Sequence, residues 1–407
     1  MADHDVIIVG GGMVGATLAC LLGQAGVPVM LLDAAPSSVN AETAGCGPAD
    51  LRVSALTPVS QRLLDGLGVW PSMRERRVTP YGRMRVWDGE GTGEVSFSAD
   101  QAGLPVLGHI VENDVVVAAL DARLAELPTV RRRFAARVAG LERSDDDPVL
   151  CLESGERLRA PLVVAADGAR SPLREMAGIE TRSDDTGQVA LVTSVRTERP
   201  HGGVARQAFL ADGPLAFLPL TLDGDERHCS IVWSTSPTKT ERLAALSPAS
   251  LGAELEAGIG ACLGRVTPTD RAVCLPLAQR HAERYTLPGL ALVGDAAHSI
   301  HPLAGQGANL GMMDVAVLAE ELLEARRRGI APGDEAWLAR YARRRRGDNA
   351  AMLCLMDAFR LLFGARHPAL TLARNLGLAG VDRLGPVKRL LMQQAAGQRG
   401  RLPAACR

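Results

Sequence analysis

The run Val6-Ile7-Ile8-Val9, followed at once by Gly10-Gly11-Gly12-Met13-Val14-Gly15, leaves few folds open to this chain. Four consecutive β-branched residues read as a strand buried on both faces, the habit of a parallel sheet. Gly10, Gly12 and Gly15 fit the spacing G-x-G-x-x-G. Gly10 permits a tight turn, Gly12 lets backbone N–H groups approach a pyrophosphate, and Gly15 lets the following helix pack on the strand. The helix N-terminus adds partial positive charge and unpaired donors. Ala16 to Gln24 continues as a small-residue helix, Gly26 ends it, and Val27 to Leu32 supplies a second apolar strand. Asp33 closes the unit, 18 residues after Gly15, where an acid accepts a ribose hydroxyl. A glycine turn of purely structural use would leave Asp33 unexplained. The loop alone does not separate FAD from NAD.

A second glycine-rich stretch lies far along the chain. Leu290 to Val293 reads as a buried strand ending in Gly294-Asp295, and Pro302-Leu303-Ala304-Gly305-Gln306-Gly307-Ala308-Asn309 follows. A carboxylate at the end of a buried strand can accept hydroxyls, and glycines at a helix start bring N–H groups close to a ligand. Between the two loops, Val163-Val164-Ala165-Ala166 ends in Asp167-Gly168, again at the carboxyl end of a strand, where open α/β sheets bind ligands. The plainer reading of that stretch is a turn that caps a short helix at Ser171. Two loops so far apart suggest one extended dinucleotide held at both ends. His298 and His301 read as structural, because no nucleophile or metal-ligand constellation accompanies them.

The remaining composition excludes more than it assigns. With a net charge of −1 and 3% aromatic residues, the 407-residue chain lacks the basic surface and stacking platforms of a nucleic-acid binder. Its eight cysteines form no C-x-x-C pair, so no metal site is expected, and most read as small core residues in a reducing compartment. No apolar run is long enough to span a bilayer. The first strand starts almost at the N-terminus, so no secretory signal is expected and the location reads as cytoplasmic. The runs Arg131 to Arg133, Arg326 to Arg328 and Arg343 to Arg346 read as solvated ends. The Arg- and Leu-rich last 60 residues suit packing on the body, or peripheral contact with the inner membrane or a biosynthetic complex.

The expected architecture is α/β: a Rossmann-like dinucleotide-binding domain, an inserted, mainly antiparallel β-sheet substrate domain and a helical C-terminal region. Residues 1–75, 111–186 and 286–335 are assigned to the cofactor domain. Residues 76–110 and 187–285 supply the substrate domain, and 336–407 the helical region. Helices are expected over 58–67, 111–127 and 307–328, and a hairpin over 149–158.

Gly10/Gly12/Gly15, Asp167-Gly168 and Gly294-Asp295, in this order and spacing, resemble the class A flavoprotein monooxygenases, the p-hydroxybenzoate hydroxylase superfamily. The stretch from Gly294 to Gly307 is similar to the signature of its ubiquinone-biosynthesis hydroxylases. Arg52-Val53-Ser54-Ala55-Leu56, Val111-Glu112-Asn113, Glu198-Arg199-Pro200-His201 and Gly213 to Leu220 add to the likeness, which covers essentially the whole chain. The resemblance implies FAD as cofactor, NAD(P)H as reductant and O2 as co-substrate. One oxygen atom would pass through a flavin C4a-hydroperoxide to the ring of a lipophilic prenylated phenol or quinol. Gly10, Gly12 and Gly15 would cradle the pyrophosphate, Asp33 the ribose, and Arg52 the flavin phosphates. Asn113 and Asp167 would also contact FAD, with Asp167 linked to nicotinamide binding as well. Asp295 would bind the ribitol. Pro302 and the loop Gly305, Gly307, Ala308 and Asn309 would lie against the isoalloxazine. Leu215, Phe217 and Pro219 would form the apolar wall beside the reacting ring. The tail text favours hydroxylation at ring carbon 6. Carbons 5 and 1 of the same pathway, or a flavin reductase of isoprenoid double bonds, are the alternatives. A halogenase is disfavoured by the absence of W-x-W-x-I-P.

Overall fold

The structure is a computed structural model that describes residues 4–89, 91–143, 147–300, 307–364, 388, 392–393, 396–398 and 401–407. Its centre is a six-stranded sheet in the order Thr286–Leu287, Leu290–Leu292, Leu162–Ala165, Val6–Val9, Val29–Leu32, Val130–Arg133. All but the first pair run parallel. Both faces of the four central strands are covered, so these are continuous apolar runs rather than alternating ones. The helices Met13–Gln24, Asn113–Ala125 and Gly307–Arg327 pack around this sheet and share its large hydrophobic core.

The register decides where the site must be. Val9 pairs with Leu32 on one side and Ala165 on the other, and Ala165 pairs with Leu292. The residues that follow, Gly10, Asp33, Ala166-Asp167 and Val293-Gly294-Asp295, therefore emerge along one carboxyl edge of the sheet. This is the crevice in which open α/β sheets hold ligands.

A second, larger sheet combines the early strands Arg83–Asp88 and Glu94–Ser98 with strands from 181 to 282. It is antiparallel except where Val204–Leu210 runs parallel to Arg83–Asp88. One face carries the helices Pro237–Ala244 and Pro248–Gly258 over a core of Leu215, Phe217, Ile231, Trp233 and Leu251. The other face meets the cofactor body and the helix Glu335–Gly364.

Four helices start by one device. Thr57-Pro58, Ser171-Pro172, Ser236-Pro237 and Ser247-Pro248 each place a hydroxyl at the cap, accepting from the N–H three residues on, and a proline in the first turn. The hydroxyl satisfies one orphan donor, and proline has no N–H to orphan.

Several expectations change. Val111 lies within the strand Gly108–Glu112, and the helix begins only at Asn113. Its β-branched neighbours pair with Val53–Leu56, and tertiary pairing overrides the helical spacing. Only Cys20, Cys229 and Cys406 are buried, so most cysteines are not core residues. The 343–346 run is not uniformly solvated either, because Arg345 is 3% exposed. The tail between 365 and 387 lies outside the described residues. Among the described residues no helix is long and apolar enough to cross a membrane, and no His/Cys/Asp/Glu group could hold a metal.

Candidate cofactor and substrate site

The first glycine loop is built for close approach. Gly10 has φ +108°, and a Cβ there would sit 2.2 Å from the Ala166 carbonyl oxygen. A Cβ on Gly15 would lie 1.9 Å from the Gly10 oxygen. Asp33 is fixed from the same loop: its Oδ2 accepts from Gly11 N–H and its Oδ1 from Ala35 N–H, both at 2.8 Å. Each carboxylate oxygen retains a lone pair, so the group is positioned yet still able to accept a hydroxyl. Gly10–Gly12, Asp33, Asp167 and Gly168 border a cavity of about 520 Å3.

Asp167 shows the residues of this cavity asking for a ligand. Its Oδ2 accepts from Leu173 N–H at 3.1 Å, while its Oδ1 is buried with no partner among the described residues. Burial raises its pKa, against the lowering effect of hydrogen bonds from Ser171 and Leu173. An orphaned buried acceptor costs roughly 1–3 kcal/mol, which a ligand hydroxyl or N–H would relieve. Ser171 caps its short helix as well, as the plainer reading of this stretch expects. Arg174, which sequence reasoning passed over, ties the Asp-Gly turn to the second loop by donating to Ala169 O and Ala296 O.

The second loop presents Asp295 at the carboxyl edge of the sheet, solvent-accessible yet closely surrounded by protein. Burial raises its pKa, opposed by the charges of His298 and Arg52. Arg52, exposed and more than 240 residues earlier, thus reaches the same region as Asp295. Asn113 supports it: its N–H donates to Arg52 O at 2.9 Å, and its Oδ1 accepts from Ser54 Oγ at 2.7 Å. The Asn309 side chain is committed to protein. It accepts from Thr57 N–H (2.9 Å) and Ser60 Oγ (2.7 Å) and donates to Ala55 O (2.8 Å), so only its backbone is left for a ligand. Gly307 and Ala308 open that helix, half-buried. Pro302 and Gly305 lie outside the described residues.

The segment leading to Arg52 is braced from beneath. Arg77 Nη1 donates to Glu112 Oε1 at 2.8 Å and Nη2 to Gly47 O at 2.9 Å, while Glu112 Oε2 accepts from Asp50 N–H at 2.8 Å. Both side chains are buried. Removing one partner leaves an uncompensated charge, so Arg77→Met is expected to cost about 3–5 kcal/mol in urea unfolding. A loss below about 1 kcal/mol would show that the pair does not brace the segment.

The residues expected to line a substrate wall face away from the cofactor body. Leu215 and Phe217 are fully buried against Trp233, Leu251 and Leu255, under the two helices of the second sheet. Pro219, opposite Cys229, shares that face by alternation. The face toward the cofactor body carries Ala216, Leu218 and Leu220, with Leu218 and Leu220 packed in a cluster with Val53, Ala55 and Ile110. A strand's side chains alternate strictly, so a one-residue misreading exchanges the two faces.

A family model described as FAD binding domain matches residues 3–355. The fold superposes on the crystal structure of p-nitrophenol 4-monooxygenase PnpA from Pseudomonas putida DLL-E4 with a TM-score of 0.77 at 23% identity, covering 98% of this chain and 100% of that one. The architecture is that of the class A flavoprotein monooxygenases. In sequence, 3-demethoxyubiquinol 3-hydroxylase of Escherichia coli (strain K12) is 42% identical over 394 residues, 97% of this chain and 98% of that protein. Ubiquinone hydroxylase UbiL of Rhodospirillum rubrum is 42% identical over 393 residues, 97% of this chain and 89% of that protein. The chain belongs to the FAD-binding domain family, in its branch of ubiquinone-biosynthesis hydroxylases, and is an FAD-dependent monooxygenase.

Proposed function

We propose that this protein hydroxylates the ring of a prenylated demethoxyubiquinol at ring carbon 6, with NAD(P)H as reductant and O2 as oxygen donor. The observation that carries the substrate is the 42% identity, over 97% of the chain, to a protein named for a demethoxyubiquinol; the choice of carbon 6 rests on the resemblance of the tail. Bound FAD would supply the activation of oxygen, which protein side chains cannot perform.

The chain's own residues would do the rest. Gly10, Gly12, Gly15 and Asp33 would hold the adenosine end, and Asp167 and Asp295 the centre of the cofactor. Arg52 would neutralise phosphate charge. Ala216 and Leu218 would form the apolar wall beside the ring, in place of Leu215, Phe217 and Pro219. An electron-rich phenol needs positioning and dryness more than acid–base catalysis, so these residues would chiefly orient the ring and exclude water. The equal identity to a relative named only as a ubiquinone hydroxylase keeps a second reading in place, in which carbon 5 or 1 of the same ring is the target.

The test is incubation of FAD-loaded protein with NADH or NADPH, 18O2 and a short-tailed demethoxyubiquinol. A product carrying one 18O at the open ring carbon is expected. Deleting the gene in its host should accumulate demethoxyubiquinone, restored only by an intact copy. An accumulated earlier prenylphenol would move the reaction to carbon 5 or 1, and an unchanged quinone profile with no labelled product would overturn the substrate assignment.

A further inference from the structure

Behind the Gly294-Asp295 loop lies a polar cluster sealed from solvent, centred on Asp314 of the helix Gly307–Arg327. Asp314 is 0% exposed. Its Oδ2 accepts from Gly294 N–H at 3.0 Å and from His298 Nε2 at 2.5 Å. Its Oδ1 accepts from Arg345 Nε at 2.7 Å and Asn349 Nδ2 at 3.1 Å. Arg345 in turn donates to Asn349 Oδ1 at 2.7 Å, and Asn349 donates to Tyr285 Oη at 3.3 Å. Three segments distant in sequence, residues 294–298, 314 and 345–349, therefore meet at one carboxylate.

That carboxylate is saturated with four donors, so it is not itself a ligand site. Burial alone would raise its pKa, but the charges of His298 and Arg345 outweigh burial and hold it at about 2. A buried charge cluster of this kind is a poor way to gain stability, since apolar side chains of equal volume do as well or better. What it does supply is direction. The Gly294 N–H is pulled toward Asp314, and Gly294 adopts φ +57°, where a Cβ would be strained and would press on the Val14 side chain at 3.2 Å. Gly311, one turn before Asp314, lies so close that a Cβ there would be 3.2 Å from Gly294 Cα and 2.7 Å from Val14. His298, four residues past Gly294, ties the far side of the loop to the same carboxylate through Nε2.

We propose that Asp314, His298 and Arg345 are positioning residues for FAD: they fix the Gly294-Asp295 loop in its binding geometry before the cofactor arrives, without touching it. The inference rests on the FAD reading and is independent of which ring is hydroxylated. Support from behind is what keeps a first layer of ligating groups in place.

The test uses the full-length apoprotein of Asp314→Asn and Arg345→Met, titrated with FAD by flavin fluorescence, with the fraction folded measured by circular dichroism. Leu251→Ala, in the separate core of the second sheet, serves as a destabilised control. FAD affinity of the folded protein should fall about tenfold or more in both cluster variants, the usual scale for loss of a supporting shell. It should stay at the wild-type value in Leu251→Ala, even at an equal loss of stability. Affinity within about twofold of wild type in folded Asp314→Asn would overturn the inference, leaving the cluster a stabilising element only. If Asp314→Asn does not fold, His298→Gln, which leaves the Gly294, Arg345 and Asn349 bonds in place, is judged by the same limit. Failure of the wild-type protein itself to bind FAD would instead refute the cofactor reading.

Discussion

Gly12→Val is expected to abolish FAD retention while leaving the apoprotein folded. Gly12 has φ −66°, which any residue adopts, and a Cβ built there meets nothing within 4 Å. The open space it faces is the cavity bordered by Asp33 and Asp167. A valine would therefore cost the empty protein little, on the order of 0.5–1 kcal/mol for a poorer helix cap. In the loaded protein it would stand where backbone N–H groups must approach a pyrophosphate. FAD affinity should drop by roughly 100-fold or more, about 2.7 kcal/mol. Gly15→Ala gives the contrast, since its Cβ would sit 1.9 Å from the Gly10 oxygen and the βαβ turn itself must shift. The check is a pair of measurements on each variant, urea midpoint of the apoprotein and FAD titration. Wild-type FAD affinity in Gly12→Val would remove the pyrophosphate from this loop.

The two variants also show what kind of information a sequence carries openly. Gly10, Gly15, Asp33 and Asp295 are legible because their constraint is local: a glycine spacing, or an acid at the end of an apolar run. The Ser/Thr-Pro caps are legible for the same reason. Asp314 and Arg345 are not. Asp314 sits within an otherwise ordinary helix, and Arg345 is one of four consecutive arginines, where a solvated face is the natural reading. Their role exists only because residues 285, 294, 298, 314, 345 and 349 converge in space, and no spacing along the chain announces that. Asn309 illustrates the reverse. It lies in the stretch richest in ligand-binding signals, yet its amide is spent joining two helices to the strand Val53–Leu56.

Phe217→Ala should lower stability by about 3–5 kcal/mol, the range for emptying a large aromatic from a core, and leave KM for the quinol nearly unchanged. Phe217 is 0% exposed and packs with Trp233, Ile231 and Leu255 on the helix-covered face of the second sheet. The reacting ring, if bound against this sheet, must use the opposite face, where Leu218 packs with Val53 beside Arg52. Leu218→Gln keeps the volume but places an amide against an apolar ring. It should raise KM about tenfold, the scale of one misplaced polar group against an apolar one. NAD(P)H oxidation should also uncouple from hydroxylation, because a loosely held ring admits water. The two neighbours thus separate by readout, one in the denaturation midpoint and one in KM and coupling. A raised KM in Phe217→Ala at unchanged stability, with Leu218→Gln silent, would reverse the assignment of the faces and restore Leu215, Phe217 and Pro219 as the wall. Only the register decides between these outcomes: Leu215 opposite Trp233 and Phe217 opposite Ile231 send both side chains toward the helices, and everything said of the substrate's apolar wall follows from that pairing.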